Sequence, residues 1–188
     1  NKLTSKILKI MDKYGLIGYP LKHSFSISYF NQKFEDEEID AVYENFEIST
    51  LDLLPEIISS NPNLKGLNVT IPYKQKVMSF LDSISPEARA IGAVNVIKVI
   101  HEDDGFTLKG YNSDVIGFTQ SIEPMLEKYH KKALVLGTGG ASKAVDYGLR
   151  SLGLETLIVS RYQRPGTIQY HDITPDIIKE YNVIVNCT

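Results

Sequence analysis

A single cysteine, Cys187, stands in 188 residues, so the chain cannot close a disulfide on itself and offers no cysteine cluster for zinc. The same scarcity fits a reducing cytoplasm. No apolar run approaches the roughly 18 residues that a membrane helix needs. No dense Lys/Arg tract occurs, and 20 basic against 23 acidic residues leave a net charge of −3, so nucleic acid is not an expected partner. Internal repeats and low-complexity tracts are missing as well. What remains, 43% hydrophobic and 23% charged residues, is the composition of an ordinary globular protein of one large or two small domains. The first ten residues hold three lysines but neither the apolar core nor the small-residue cleavage site of a signal peptide, which leaves Met11 as a candidate start. At the other end a strand-like run, Val183-Ile184-Val185-Asn186, is followed only by Cys187 and Thr188, and the chain reads as truncated there.

Strand-like and helix-like segments alternate. Residues 14–18 read as a short buried strand, followed by a loop holding Pro20 and His23. Ser26 is the expected N-cap of a helix through Phe34, with Ile27, Phe30 and Phe34 on one face. Residues 41–48 alternate as a strand does, Thr50 is placed to cap a helix through Ser60, and residues 64–70 form the next strand. Residues 74–81 and 86–91 look helical. Residues 95–100 and 106–109 make a hairpin around Glu102-Asp103-Asp104-Gly105. A long helix over 113–129, bent near Pro124, leads into strand 133–136, helix 141–152 and strand 156–159. The expected fold class is α/β with largely parallel sheets: an α/β substrate domain over 11–112, then a Rossmann-like nucleotide domain over 113–188 that is incomplete.

The nucleotide signal is Gly137-Thr138-Gly139-Gly140-Ala141-Ser142, directly after the apolar run Ala133-Leu134-Val135-Leu136. Gly137 permits a tight turn, Gly139 lets the backbone approach a pyrophosphate, and the small Ala141 and Ser142 let the helix sit close to the strand. The N–H groups opening that helix, from Gly140 onward, suit phosphate. A cofactor with a free ribose 2′-hydroxyl calls for Asp or Glu at the end of the second strand. Here Ser160-Arg161 stands, with Arg164 nearby, which favours a 2′-phosphate and so NADP. A glycine turn that binds nothing, and arginines that are plain surface charges, are the competing readings.

Upstream, Lys65 to Asp114 holds uncharged hydrogen-bonding groups and two charges at the ends of short apolar segments. They are Asn68-Val69-Thr70-Ile71-Pro72-Tyr73-Lys74, Gly92-Ala93-Val94-Asn95 and Asn112-Ser113-Asp114. Such groups can converge on a small ligand rich in hydroxyls. Beside a nucleotide site, that suggests a dehydrogenase. Hydride addition to a ketone leaves charge on oxygen, and a lysine can both stabilise that charge and supply the proton. A partner aspartate favours the ammonium form. Hydroxyls at a helix start suit a carboxylate. Taken singly, Lys74 is a surface lysine, Asp114 a first-turn helix acid and Ser24 and Ser26 caps; their combination tips each reading.

Together with Gly15-Leu16-Ile17-Gly18-Tyr19-Pro20-Leu21-Lys22-His23-Ser24-Phe25-Ser26 and the closing Asn186-Cys187-Thr188, this pattern resembles the shikimate dehydrogenase family, in order and over nearly everything from residue 14 onward. The resemblance implies NADP-dependent, reversible reduction of 3-dehydroshikimate to shikimate in aromatic amino-acid biosynthesis, by a cytoplasmic monomer or homodimer acting on small molecules, without metal. It puts the catalytic lysine and aspartate on Lys74 and Asp114. The substrate carboxylate falls to Ser24 and Ser26 with Thr70, and the ring hydroxyls to Asn95, Lys74 and Asp114. The cofactor falls to Gly137, Gly139, Gly140, Ala141, Ser160, Arg161 and Arg164. His23 shapes its loop, and Tyr73 is read as packing. Two departures stand out. Tyr162-Gln163-Arg164-Pro165-Gly166 replaces the Thr and helix that the family commonly has after the arginine, and the family continues past Thr188 with residues that line the nicotinamide pocket. Quinate/shikimate dehydrogenase of broader specificity, a non-catalytic binding module and an α/β interaction domain stay open as alternatives.

Overall fold

A computed structural model describes residues 11–21 and 25–188. The readings placed on residues 1–10, His23 and Ser24 therefore lie outside the described residues. Asp12–Gly18 forms strand β1, Ser26–Asp36 helix α1, Ala41–Glu47 β2, Leu54–Ser60 α2 and Leu64–Val69 β3. Ser83–Ile84 is β4, Pro86–Ile91 α3, Val96–Glu102 β5, Gly105–Tyr111 β6 and Asp114–Ile122 α4. Lys132–Leu136 is β7, Gly140–Ser151 α5, Glu155–Ser160 β8, Thr167–Gln169 β9, Pro175–Glu180 α6 and Val183–Asn186 β10. The chain divides into two compact units, the first running to Asp82 and resuming over Val96–Lys109, the second holding Ser83–Asn95 and Gly110–Thr188. No helix among the described residues is long and apolar enough to cross a membrane.

In the first unit the strands lie in the order β2-β1-β3-β5-β6. β1 pairs in parallel with β2 and with β3, whereas β5 runs antiparallel to β3, Gly66 facing Lys98. This sheet is mixed rather than largely parallel, because the two-residue turn Asp103-Asp104 returns β6 directly alongside β5. Ile17, Leu54, Ile58, Leu64, Leu67, Val69, Val77 and Ile97 are all buried to within 2%. At roughly 1.5–3 kcal/mol for each such side chain, they are the main support of the unit. Strand β2 is a sheet edge, and its exposed backbone is closed by a side chain. Asn31 of α1 donates to the Tyr43 carbonyl at 2.9 Å and accepts from the Tyr43 N–H at 2.8 Å. Rings do the rest of the joining, Phe30 stacked on Tyr43 with centroids 4.7 Å apart and Tyr14 against Phe34 at 5.8 Å. A cavity of about 500 Å³ opens beside these rings.

Three local expectations fail for identifiable reasons. α1 starts at Ser26 itself, so the N-cap position falls to Phe25, whose side chain has no acceptor for a capping bond. Residues 74–81 hold a five-residue 3-10 turn, Lys76–Phe80, in place of an α-helix. The 113–129 helix stops at Ile122; Pro124 lacks the N–H needed to continue it, and a 3-10 turn, Glu123–Met125, takes over. Ser85 by contrast caps α3 as its sequence dictates, its hydroxyl accepting from Ala88 N–H at 3.2 Å with Pro86 following.

The second unit contains the four-stranded sheet β10-β7-β8-β9, parallel throughout. Counted from β7 the order is 3-2-1-4, that of a Rossmann-like half, with its topological switch point between β7 and β10. Ala133 and Val135 pack with Val145 and Leu149 of α5 on one face, while Leu134 and Val159 pack with Tyr181 and α6 on the other. Burial on both faces explains why β7 is apolar at every interior position. α3 and α4 belong to this unit too, Ile91, Ala93 and Val115 packing on Ala144 of α5.

Candidate functional site

Open α/β sheets collect ligands outside the carboxyl ends of their parallel strands, and in the first unit Thr70 and Lys74 stand just past that end of β3. Thr70 follows β3 directly, its N–H bonded to the Ile17 carbonyl at 2.9 Å, so it is set beside the end of β1. Gly18 makes that approach possible: a Cβ built on it would lie 2.5 Å from Thr70 Cγ2 and 3.0 Å from the Ile71 carbonyl. Lys74 stands half-buried on the turn between β3 and the 3-10 segment. Its neighbour Tyr73 is buried and donates its phenol proton to the Ile48 carbonyl at 2.6 Å, so Tyr73 is packing and anchors the turn. Tyr43, also buried, donates to Asn68 Oδ1 at 2.8 Å. Burial pushes its phenol up to about 12, with a hydrogen bond from Ser26 pulling the other way.

The second unit holds the other polar group. Asn95, 7% exposed, donates through Nδ2 to Asp114 Oδ1 at 2.7 Å and to Ser113 Oγ at 3.0 Å, and its Oδ1 accepts from Ser113 N–H at 2.8 Å. Asn112, just before the N-cap Ser113, braces the start of α4: its Oδ1 accepts from Val115 N–H at 3.2 Å, and its Nδ2 donates to the Ala93 carbonyl at 3.0 Å. Asp114 thereby sits in the first turn of a nine-residue helix, where the macrodipole stabilises its carboxylate. Gly92 closes α3 in the left-handed region, φ 72°, under the Lys143 ammonium of α5.

The glycine turn lies at the switch point of the same unit. Gly137 has φ 119°, and a Cβ there would stand 2.9 Å from the Cys187 carbonyl oxygen, so β7 and the end of β10 approach through it. Around Gly139 the space is open, with no atom within 4 Å of an added Cβ. Gly140 opens the twelve-residue α5, in which Ser142 is buried and bonds back to the Gly139 carbonyl at 2.7 Å. Ala141 is exposed, so close packing of α5 on the sheet rests on Ser142 and Ala144 rather than on Ala141. Open space above unoccupied N–H groups at a helix start fits a pyrophosphate. Ser160, 2% exposed, ends β8 and accepts from Tyr162 N–H at 3.2 Å. Arg161 and Arg164 are exposed on the loop that follows. Their backbone is tied down, the Gln169 amide donating to the Arg161 carbonyl at 3.3 Å and Thr167 N–H to that of Arg164 at 3.2 Å. The loop runs straight into β9, with no helix between. Pro165, and Gly166 at φ 73°, enforce that short path. Burial pushes the Cys187 thiol up, which makes it a poor nucleophile.

Residues 16–97 match the family model of the shikimate dehydrogenase substrate binding domain. The structure of shikimate dehydrogenase from Aquifex aeolicus superposes with a TM-score of 0.80 at 34% identity, covering 95% of this chain and 69% of that one. This chain belongs to the shikimate dehydrogenase family. The shikimate dehydrogenase (NADP(+)) of Caldicellulosiruptor bescii is 35% identical over 194 residues, 95% of this chain and 66% of that protein. A shikimate 5-dehydrogenase from Thermus thermophilus, solved in complex with NADP(H) and shikimate, gives a TM-score of 0.73 at 28% identity, over 95% of this chain and 69% of that one. The chain spans between 52% and 66% of the length of the first curated relatives it matches. The hydrogen-bonded run Asn31–Tyr43–Asn68 was not legible in the sequence; the one signal available was a strand tyrosine followed along the chain by an asparagine near the end of β3.

Proposed function

We propose that the protein is an NADP-dependent shikimate dehydrogenase, reducing 3-dehydroshikimate reversibly to shikimate. The observation that carries this reading is the Asn95–Asp114 hydrogen bond of 2.7 Å, which holds a carboxylate at the start of α4 in a chain of this family. Residues 11–112 bind substrate and residues 113–188 bind cofactor. NADPH, when bound, supplies the hydride that adds to the ketone carbon. Lys74 polarises the carbonyl oxygen and gives it the proton that completes the alcohol. Asp114 is the second catalytic residue, and with Asn95 it receives the ring hydroxyls. Ser24, Ser26 and Thr70 hold the carboxylate. Gly137, Gly139, Gly140 and Ala141 receive the pyrophosphate, and Ser160, Arg161 and Arg164 receive the 2′-phosphate of the ribose. The lone thiol and the slightly acidic charge support a cytoplasmic protein acting on small molecules, as a monomer or homodimer. The test is absorbance at 340 nm in the full-length protein with shikimate or quinate against NADP or NAD. NADPH formation with shikimate is the expected result. Equal rates with quinate or NAD would move the protein to the broader quinate/shikimate class, and no rate with any pair would overturn the reading.

A further inference from the structure

The loop 161–166 carries an aromatic ring that the proposed function leaves unused. β8 and β9 run parallel with Ser160 beside Gln169, so the chain must turn back from the carboxyl end of β8 to the start of β9, and it does so without a helix. Two hydrogen bonds hold the first residues of the loop at that carboxyl end. Tyr162 N–H donates to Ser160 Oγ at 3.2 Å, and the Gln169 amide donates to the Arg161 carbonyl at 3.3 Å. β8 lies beside β7, whose end carries the glycine turn, so Tyr162 stands on the edge of the sheet where ligands collect. It is 67% exposed, and its side chain has no hydrogen bond or ring partner among the described residues. Arg161 and Arg164 are exposed on the same loop, and neither guanidinium forms an ion pair among those residues.

We propose that Tyr162 is a further cofactor-binding residue, its ring the platform on which the adenine of the cofactor stacks. The proposal rests on the NADP reading above and adds the base to it. In a doubly wound sheet the glycine turn after the first strand takes the pyrophosphate, and the end of the second strand takes the adenosine ribose. Adenine is joined to that ribose, so its place is beside the residues that follow β8. Those residues offer charge in Arg161 and Arg164 and one aromatic face in Tyr162. A base presents a flat π-face, and an aromatic side chain is the surface that such a face stacks on. The backbone of Tyr162 is already fixed and its side chain has only two torsions to settle, so little freedom is lost when a base covers it. Stacking is blind to the 2′-phosphate. Tyr162 therefore contributes alike to NADP and to NAD, whereas Arg161 divides them.

The test is Tyr162→Ala in the full-length protein, with calorimetric titration of NADP, NAD and 2′,5′-ADP, which holds the adenine and the 2′-phosphate without the nicotinamide. The expected result is a Kd raised about fivefold or more for all three, by similar factors, with the shikimate KM within twofold of wild type. Tyr162→Phe keeps the ring and is expected to restore the affinity. A side chain this exposed is not needed for folding, so the variant can be assayed. Wild-type affinity for 2′,5′-ADP in Tyr162→Ala overturns the proposal. So does a loss confined to NADP, which would mark a contact with the 2′-phosphate, and so does a Tyr162→Phe protein as weak as Tyr162→Ala, which would mark the hydroxyl. If the wild type binds 2′,5′-ADP but does not oxidise shikimate, the dehydrogenase reading fails alone, and the same titrations decide Tyr162 without turnover. A wild type that binds none of the three nucleotides overturns both.

Discussion

Gly137→Ala and Gly139→Ala are the same chemical change two residues apart, and the structure separates their consequences. At Gly137 the backbone has φ 119°, outside the range an L side chain occupies readily, which costs about 1–3 kcal/mol. The new methyl would also stand 2.9 Å from the Cys187 carbonyl oxygen and 3.2 Å from its carbon. Both are backbone atoms at the end of β10, so relief requires strand movement, worth about another 1–3 kcal/mol. Reduced freedom of the unfolded chain returns about 0.4–1 kcal/mol. The net expectation is a loss of about 3 kcal/mol. With an m-value of about 2 kcal/mol/M in urea, that lowers the unfolding midpoint by about 1.5 M. At Gly139 the φ is −81° and nothing lies within 4 Å of the added carbon, so stability should stay within about 0.5 kcal/mol of wild type. The methyl would instead project into the open space that the proposed pyrophosphate needs, and NADPH affinity should fall at least tenfold, about 1.4 kcal/mol. Urea unfolding by circular dichroism and NADPH fluorescence titration read the two effects. Gly137→Ala unfolding within about 0.5 kcal/mol of wild type would refute the strain argument. Gly139→Ala binding NADPH normally would refute the pyrophosphate placement.

Lys74→Ala should lower kcat by two orders of magnitude or more while leaving NADPH affinity within twofold, as initial rates and fluorescence titration together will show. Arg161→Ala should reduce the preference for NADP over NAD by about tenfold to a hundredfold, read as the ratio of kcat/KM values, through loss of a charge-assisted contact of about 1.5–3 kcal/mol. At the amino ends of the second sheet, Glu155 accepts from the Tyr181 phenol at 2.8 Å and pairs with Lys132 at 3.2 Å. First the Tyr181 hydrogen bond and then that of Lys132 hold its carboxyl below the ordinary glutamate range. A depressed carboxylate stabilises the fold above its unfolded pKa, and that contribution is lost as pH falls through the folded value. Between about pH 5 and pH 3 the Tm of the wild type should therefore fall further than that of Glu155→Gln; parallel curves would count against the pairing.

Local chemistry determined much of this protein from its sequence. An apolar strand, a glycine turn and a helix of period 3.6 specify one another over 133–151, because each is decided by residues within a few positions. The same holds for Ser85-Pro86 opening α3 and for Asp103-Asp104 turning β5 into β6. The places of the candidate site residues were legible where they stand beside such local signals, as Thr70 and Lys74 do after β3 and Asp114 does at the start of α4. Tertiary structure alone decided the rest. Ser26 has the residue type of an N-cap, yet α1 starts at it, and its hydroxyl meets a tyrosine 17 positions along the chain. Asn31 reads as a polar helix residue, yet it finishes the hydrogen bonding of an edge strand. Gly137 reads as a turn former, and only the return of β10 beside β7 shows what a methyl there would strike. Propensity and periodicity act over one turn or one strand; the partners of Ser26, Asn31 and Gly137 lie 12 to 50 residues away and become neighbours only when the sheets assemble.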